Sequence, residues 1–523
     1  MKLKYFLSGA LLAIVLFLAA CSGNGEEEVE AESQGEEESG EVEKDDKNLV
    51  IAQASDLVTM DPQDSLSTTG DRFFRNLNNR LFKRNPDMEI VPDLVESSEN
   101  IDEETWRFKL IEGVKFHNGE DLTAEDVKFS LERVMTDDSL KEYPYFTQLK
   151  EVNVIDDYEL EVVTDGPMPT IQHVLAKSGS GILPKDYVEE VGMEGFMEQP
   201  IGSGPYKFVE WKIDDKVVME RNEDYFGDEP TWDTVTIRAI NEGSTRVGEL
   251  LTGGVDLITD VAPNEWDRVE NNEGTSLVSG ESTRVMLLMN RMTEGTITAD
   301  PKVREAIDLA IDQQAIVDSV LQGSGVPVRS RVPEGVHGSD PDLYDAYVHD
   351  PERAKELLEE AGYGDGFELT LTSPKGRYPM DGQVAELIAV MLGEVGIDVN
   401  LELLESGTFI EKYSNKDNEE LIMIGLADGL LDASYSLVHY SIDRAAGQTD
   451  YNNEEIDQLF KEASRNLDKE ERVEQFKQIQ QTVAEERPHT FLYQSKVNYG
   501  VSDAIDFQPR LDENIIFDDV SVK

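Results

Sequence analysis

The sequence predicts a mixed α/β protein in two or more lobes, and three observations carry that expectation. Segments with apolar residues at every second position alternate with segments whose apolar residues fall at helical spacing. No fixed period recurs among them, which argues against a solenoid or a propeller. Well over 400 residues follow the first 47, enough for a large buried core, and with a single cysteine no internal disulfide supports it.

The strands come first. Trp106, Phe108 and Leu110 alternate with polar residues, as do Tyr158, Leu160 and Val162, then Val235, Ile237 and Ala239, and later Phe367, Leu369 and Leu371. Each set is predicted to be a half-buried strand. The helices carry their own start and stop signals. Thr123 to Asp126 supplies an N-cap hydroxyl with an acid three residues on, ahead of Val127, Leu131 and Val134 on one face. Asp300-Pro301 and Asp350-Pro351 each place a capping acid before a first-turn proline. Val303, Ala306, Ile307, Ala310 and Ile311 follow the first, and Ala354, Leu357, Leu358 and Ala361 the second, with Gly362 set to end that helix. Phe476, Ile479, Gln480 and Val483 trace a further amphipathic face. Gly202-Ser203-Gly204 reads as a tight turn before a strand, since no phosphate-binding helix follows it.

The chain opens with basic Met1-Lys2-Leu3-Lys4, an uncharged run from Tyr5 to Ala20, and the small-residue site Leu18-Ala19-Ala20 before Cys21. That layout predicts a signal peptide over 1–20, too short to span a bilayer, and a lipid on Cys21. The Glu-rich stretch at 21–47 cannot bury enough apolar surface to offset its ordering entropy, so it is expected to be a solvated tether. The expected location is the outer face of the cytoplasmic membrane.

Asp and Glu number 109 against 47 Lys and Arg, a formal net charge of -62. Such a field repels nucleic acid, which is excluded as a partner. No catalytic signature is present: no Gly-x-Ser-x-Gly, no His-Glu-x-x-His and no phosphate loop. The six histidines, among them His439, are scattered singly. The expectation is therefore a protein that is not an enzyme and carries no cofactor.

Several blocks, in order, resemble a known family. Val91 to Ser97 is similar to its "P-x-L-A-E-S" opening, and Trp106 to Leu110, Gly113 to Gly119 and Thr123 to Ser130 are close to its signature. Gly202 to Tyr206, Arg221 to Phe226, Gly253 to Asp256, Val303 to Ile307 and Pro351 to Tyr363 continue the match through most of the chain. The chain is thereby identified as a member of the family 5 extracellular solute-binding proteins, the peptide, dipeptide, glutathione and nickel receptors of ABC importers. The resemblance implies a two-lobe, periplasmic-binding-protein-like clamp (type II, cluster C) with an extra subdomain in the first lobe. Lobe 1 would comprise 48–86, 195–287 and 495–523, the subdomain 87–194, and lobe 2 288–494. Crossings would fall near Val285 to Arg291 and Thr490 to Asn498.

It also implies a ligand, most simply a short peptide, di- or oligopeptide or glutathione-like, delivered by a monomer to an ABC permease and its ATPase. A nickel or metallophore receptor, in which His439 would have a role, and a peptide-sensing lipoprotein without transport are the alternatives. Arg377, followed by Tyr378, matches the family's carboxylate-binding arginine. In Gly425 to Ala433 the family's tryptophan position is Leu426 and its amine-binding aspartate position is Gly429, leaving Asp428 and Asp432 as candidates for a ligand amine. Gly425 would offer backbone at a strand edge, and Thr68 and Thr69 would offer hydroxyls.

Overall fold

The computed structural model describes residues 47–523. The expectations for the signal peptide at 1–20, for Cys21 and for all of the tether but Lys47 lie outside the described residues. Among the described residues no helix is long and apolar enough to cross a membrane.

An 11-stranded sheet runs through both lobes. Its order begins with the parallel strands Ile397–Glu405, Phe367–Lys375 and Leu421–Leu426, passes through the antiparallel pair Thr275–Asn290 and His489–Ser502, and continues through Leu257–Ile258, Asn48–Gln53, Thr234–Ala239, Lys216–Arg221 and Tyr206–Lys212, with Gly325–Pro327 paired to His489–Ser502 off this path. The two central strands are 16 and 14 residues long and belong to both halves of the sheet. Their ladder runs from Thr275 opposite Ser502 to Glu281 opposite Lys496, then resumes at Val285 opposite Gln494. Four residues advance on one strand against two on the other. The surplus is a bulge at Ser282–Arg284, the kind of irregularity that re-aims side chains.

Helices cover both faces of the sheet's parallel end. Pro301–Ala310, Pro351–Glu360 and Asp381–Glu394 pack Ile307, Leu357 and Ile388 against Leu369 and Leu371. On the other face Lys469–Glu486 presents Phe476, Ile479 and Val483 to Val285 and Leu287. The predicted caps form as charged acceptors for otherwise unpaired N–H groups: Asp300 accepts from Lys302 N and Asp350 from Arg353 N. Gly362 takes φ +91°, a left-handed stop open to glycine without strain.

A separate four-stranded antiparallel sheet, Val95–Asn100, Thr105–Leu110, Glu159–Thr164 and Leu149–Asp156, carries its own core. The helix Ala124–Thr136 lays Val127, Leu131 and Val134, all fully buried, on that core. Its start is fixed by the backbone N–H and hydroxyl of Thr123, both donating to Asp126 at 2.9 Å. The Gly202–Gly204 turn lies flat on the end of the helix Thr68–Leu77. A Cβ on Gly202 would sit 2.0 Å from the Leu77 carbonyl oxygen, so only glycine fits. His117 clasps this turn, accepting from Gly202 N at 3.2 Å and donating to Gly204 O at 3.0 Å. Burial pushes its pKa down to about 4, consistent with a neutral imidazole that joins the two sequence motifs.

Candidate functional site

The bulge, the ends of two loops and the residue after the strand Asn48–Gln53 converge on a cavity of about 630 Å³. Ala54, Asp260 to Pro263 and Glu513 form one wall, Arg377 to Met380 and Leu321 the other, and Ser282, Arg284, Tyr493 and Ser495 to Asn498 on the crossing strands form the seam between them. Its volume is in the range of small-molecule sites, which sit preferentially between lobes.

Arg377 is exposed on the second wall. The Asp381 carboxylate accepts the backbone N–H groups of Gly376, Arg377 and Tyr378 at 2.8–3.0 Å, which holds the loop at the start of Asp381–Glu394. Arg377 Nε donates to the Tyr378 hydroxyl at 3.0 Å, and that hydroxyl donates to the Gly425 carbonyl at 3.0 Å. Arg284 Nη1 reaches the same carbonyl at 3.4 Å. The two guanidinium carbons lie 5.4 and 5.6 Å from the Tyr378 ring centroid, within cation–π range. Among the described residues neither guanidinium has a carboxylate at ion-pairing distance. With Lys496 they make three cations on the cavity against two acids, Asp260 and Glu513, in a chain whose overall balance is strongly the reverse.

Gly425 is not at a free edge. It pairs with Met286 inside the sheet, and its carbonyl is occupied by Tyr378 and Arg284. A Cβ there would lie 2.5 Å from Met286 Sδ, 3.0 Å from Tyr378 Cε1 and 3.1 Å from Arg284 Cδ, so glycine makes room for both arginine-bearing segments.

The two acids expected near a ligand amine are elsewhere. Asp428, 3% exposed, accepts from Leu430 N at 3.0 Å and from the Ser436 hydroxyl at 2.5 Å, and burial pushes its carboxyl up. Asp432 is fully buried and takes both arms of Arg472 at 2.6 and 2.7 Å while capping Ser434 N. Burial alone would raise its carboxyl, yet Arg472 outweighs this and holds it well below the usual carboxylate range. Neither lines the cavity, because the loop after Leu421–Leu426 turns into lobe 2 and against the subdomain. Thr68 and Thr69 open the helix Thr68–Leu77, where the Thr69 hydroxyl meets Ser55, next to Ala54, and neither threonine is among the cavity's lining residues. His439 lies beside Arg331 and His489, with its pKa driven well down by burial and then by Arg331. Among the described residues no three His, Cys, Asp or Glu side chains gather at metal-ligand spacing.

Sequence reasoning missed Arg284, Lys496, Asp260 and Glu513 as cavity residues. The one available signal was Arg284 itself, a cation directly before the apolar run Val285–Met289 of a central strand.

Two lobes sharing a pair of long crossing strands, with a cavity bearing cations and acids at the crossing, define a solute-binding clamp. The family model for bacterial extracellular solute-binding proteins, family 5 Middle, matches residues 89–448, most of the chain, and the chain belongs to that family. It is therefore a solute-binding protein and not an enzyme. The oligopeptide-binding protein AppA of Bacillus subtilis is 28% identical, with 94% of this chain and 93% of AppA covered. The glutathione-binding protein GsiB of Salmonella paratyphi A is 26% identical over 91% of this chain and 95% of its own. The solved ABC transporter-associated periplasmic binding protein DppA of Helicobacter pylori, in complex with the peptide STSA, superposes with a TM-score of 0.75 at 25% identity, covering 91% of this chain and 98% of that one.

Proposed function

We propose that this protein captures a short peptide outside the cell, held to the membrane by a lipid on Cys21, and delivers it to the permease and ATPase of an ABC importer. The observation that carries this reading is the guanidinium of Arg377, without a carboxylate partner among the described residues and fixed by Tyr378 on the wall of the cavity between the lobes. A planar guanidinium without a counter-ion is a ready bidentate partner for a terminal carboxylate. Asp260 and Glu513 on the opposite wall take the amine, which places the two ends of a zwitterion on different lobes. Only a ligand that touches both lobes shifts the equilibrium toward closure. The lobe segments 48–86, 195–287 and 495–523 against 288–494, with 87–194 as the subdomain, turn about the bulge at Ser282–Arg284. The names of AppA, GsiB and the peptide-bound DppA agree with a peptide or peptide-like solute.

The test is native mass spectrometry of the full-length purified protein, followed by denaturation to identify what co-purifies. Short peptides in the wild type, with occupancy lost in Arg377→Ala, are the expected result. A metal chelate, or peptides retained equally by Arg377→Ala, would overturn the assignment.

A further inference from the structure

We infer that Arg284 and Arg377 form a two-carboxylate clamp, and that its ligand, on the peptide reading above, is a short peptide ending in Asp or Glu. Two guanidinium groups flank one tyrosine ring and converge on one hydroxyl and one carbonyl, Tyr378 Oη and Gly425 O. Like charges so placed repel, and partial exclusion of water at the cavity wall strengthens that repulsion. A chain with 109 acidic residues offers ample counter-ions, and other arginines take them: Arg472 pairs with Asp432, Arg329 with Asp308 and Arg133 with Asp61. These two do not, among the described residues, and both line the same cavity.

The positions are built rather than incidental. The bulge turns Arg284 toward the cavity: Ser282 accepts from Arg284 N at 3.0 Å, and the Ser282 carbonyl accepts from Gln494 Nε2 at 3.0 Å. Gly425 leaves the space that Arg284 Cδ occupies. One terminal carboxylate can satisfy one guanidinium bidentately, so a monoanionic C-terminus leaves the second cation without its partner. An acidic C-terminal residue carries two carboxylates a few bonds apart and satisfies both. In that arrangement Arg377 holds the α-carboxylate and Arg284 the side-chain carboxylate.

Calorimetry on the full-length protein with Ala-Ala-Glu, Ala-Ala-Gln, Glu-Ala-Ala and glutarate tests the clamp. Ala-Ala-Glu is expected to bind on the order of tenfold tighter than its neutral isostere Ala-Ala-Gln, the scale of one charge-assisted pair, and Glu-Ala-Ala is expected to show no such gain. In Arg284→Gln the Glu/Gln ratio collapses to about one, and Arg284→Lys restores part of it because charge returns without the planar fork. Melting curves of both variants establish that they fold. Equal affinity for Ala-Ala-Glu and Ala-Ala-Gln, or a ratio that survives Arg284→Gln, overturns the clamp and leaves the peptide reading standing. Glutarate binding that is lost in Arg284→Gln, with no peptide bound, supports the clamp and overturns the peptide reading. Absence of binding by all four overturns both.

Discussion

Burial decides what a carboxylate can do, and Asp432 is the clearest instance. Its two oxygens are fully occupied by Arg472 in a site without solvent, so removing the acid strands a buried guanidinium. Asp432→Ala is expected to destabilise the protein by about 3–5 kcal/mol in urea unfolding, the scale for breaking a buried pair from one side. Ligand affinity measured where the variant is folded should be unchanged; a lost affinity at unchanged stability would instead put Asp432 in the binding site. The pH sign follows from its depressed pKa. The pair contributes fully above the ordinary carboxylate value of 3.8 and loses that contribution as pH falls through the lower folded value. Arg377 sits at the opposite extreme, exposed and without such a partner, which is why the same physics reads it as a ligand contact.

At the scale of elements, the loop from Ala427 to Asp432 is the place where the chain after Leu421–Leu426 meets the core of the four-stranded sheet. Leu430 inserts into the subdomain core, its carbonyl accepts from Arg84 Nη2 and lies 3.0 Å from His173 Nδ1, and Tyr145 and Tyr435 join hydroxyls at 2.9 Å. Burial, then the nearby Arg84 against the opposing pull of Asp432, pushes the His173 pKa down from 6.5 to about 4. A lowered histidine stabilises the folded state fully above its unfolded pKa, and that contribution is lost as pH falls from 6.5 toward 4. Urea unfolding between about pH 7 and about pH 4.5 should therefore show the wild type losing more stability than His173→Gln, whose amide can donate to Leu430 without titrating. Equal losses would remove His173 from the seam. This seam also marks the limit of what sequence reveals. Trp106–Leu110, Thr123–Val134 and the Asp-Pro caps were legible because each is set by local alternation or local hydrogen bonding. Leu257–Ile258, a strand of two residues, carries no period to read. Arg377 was legible through the family resemblance, whereas Arg284 depends on a bulge whose two surplus residues exist only relative to a partner strand more than 200 positions away. Asp432 had the right chemistry at the family's acidic position and Asp428 one residue before its amine-binding position, and only the path of the loop shows that they face inward.

For the whole molecule the governing quantity is the net charge of -62, and many ion pairs among the described residues are exposed and individually weak. Mutual repulsion of unpaired carboxylates opposes compactness, and salt screens it. The Tm is expected to rise as NaCl goes from about 0.05 M to about 1 M, most steeply at the low end, because the Debye length is ~10 Å at 0.1 M and already ~3 Å at 1 M. A scanning calorimetry series at fixed pH checks this. A Tm that falls with salt would mean that the exposed Lys–Glu and Lys–Asp pairs contribute more than the unpaired acids cost, and the acidic surface would then be a paired lattice. The same field bears on capture, since an anionic peptide must approach a strongly negative body. Screening lowers that long-range barrier, while the paired arginines in the cavity act at contact distance and are screened far less, so salt should speed association with Ala-Ala-Glu before it weakens the bound complex.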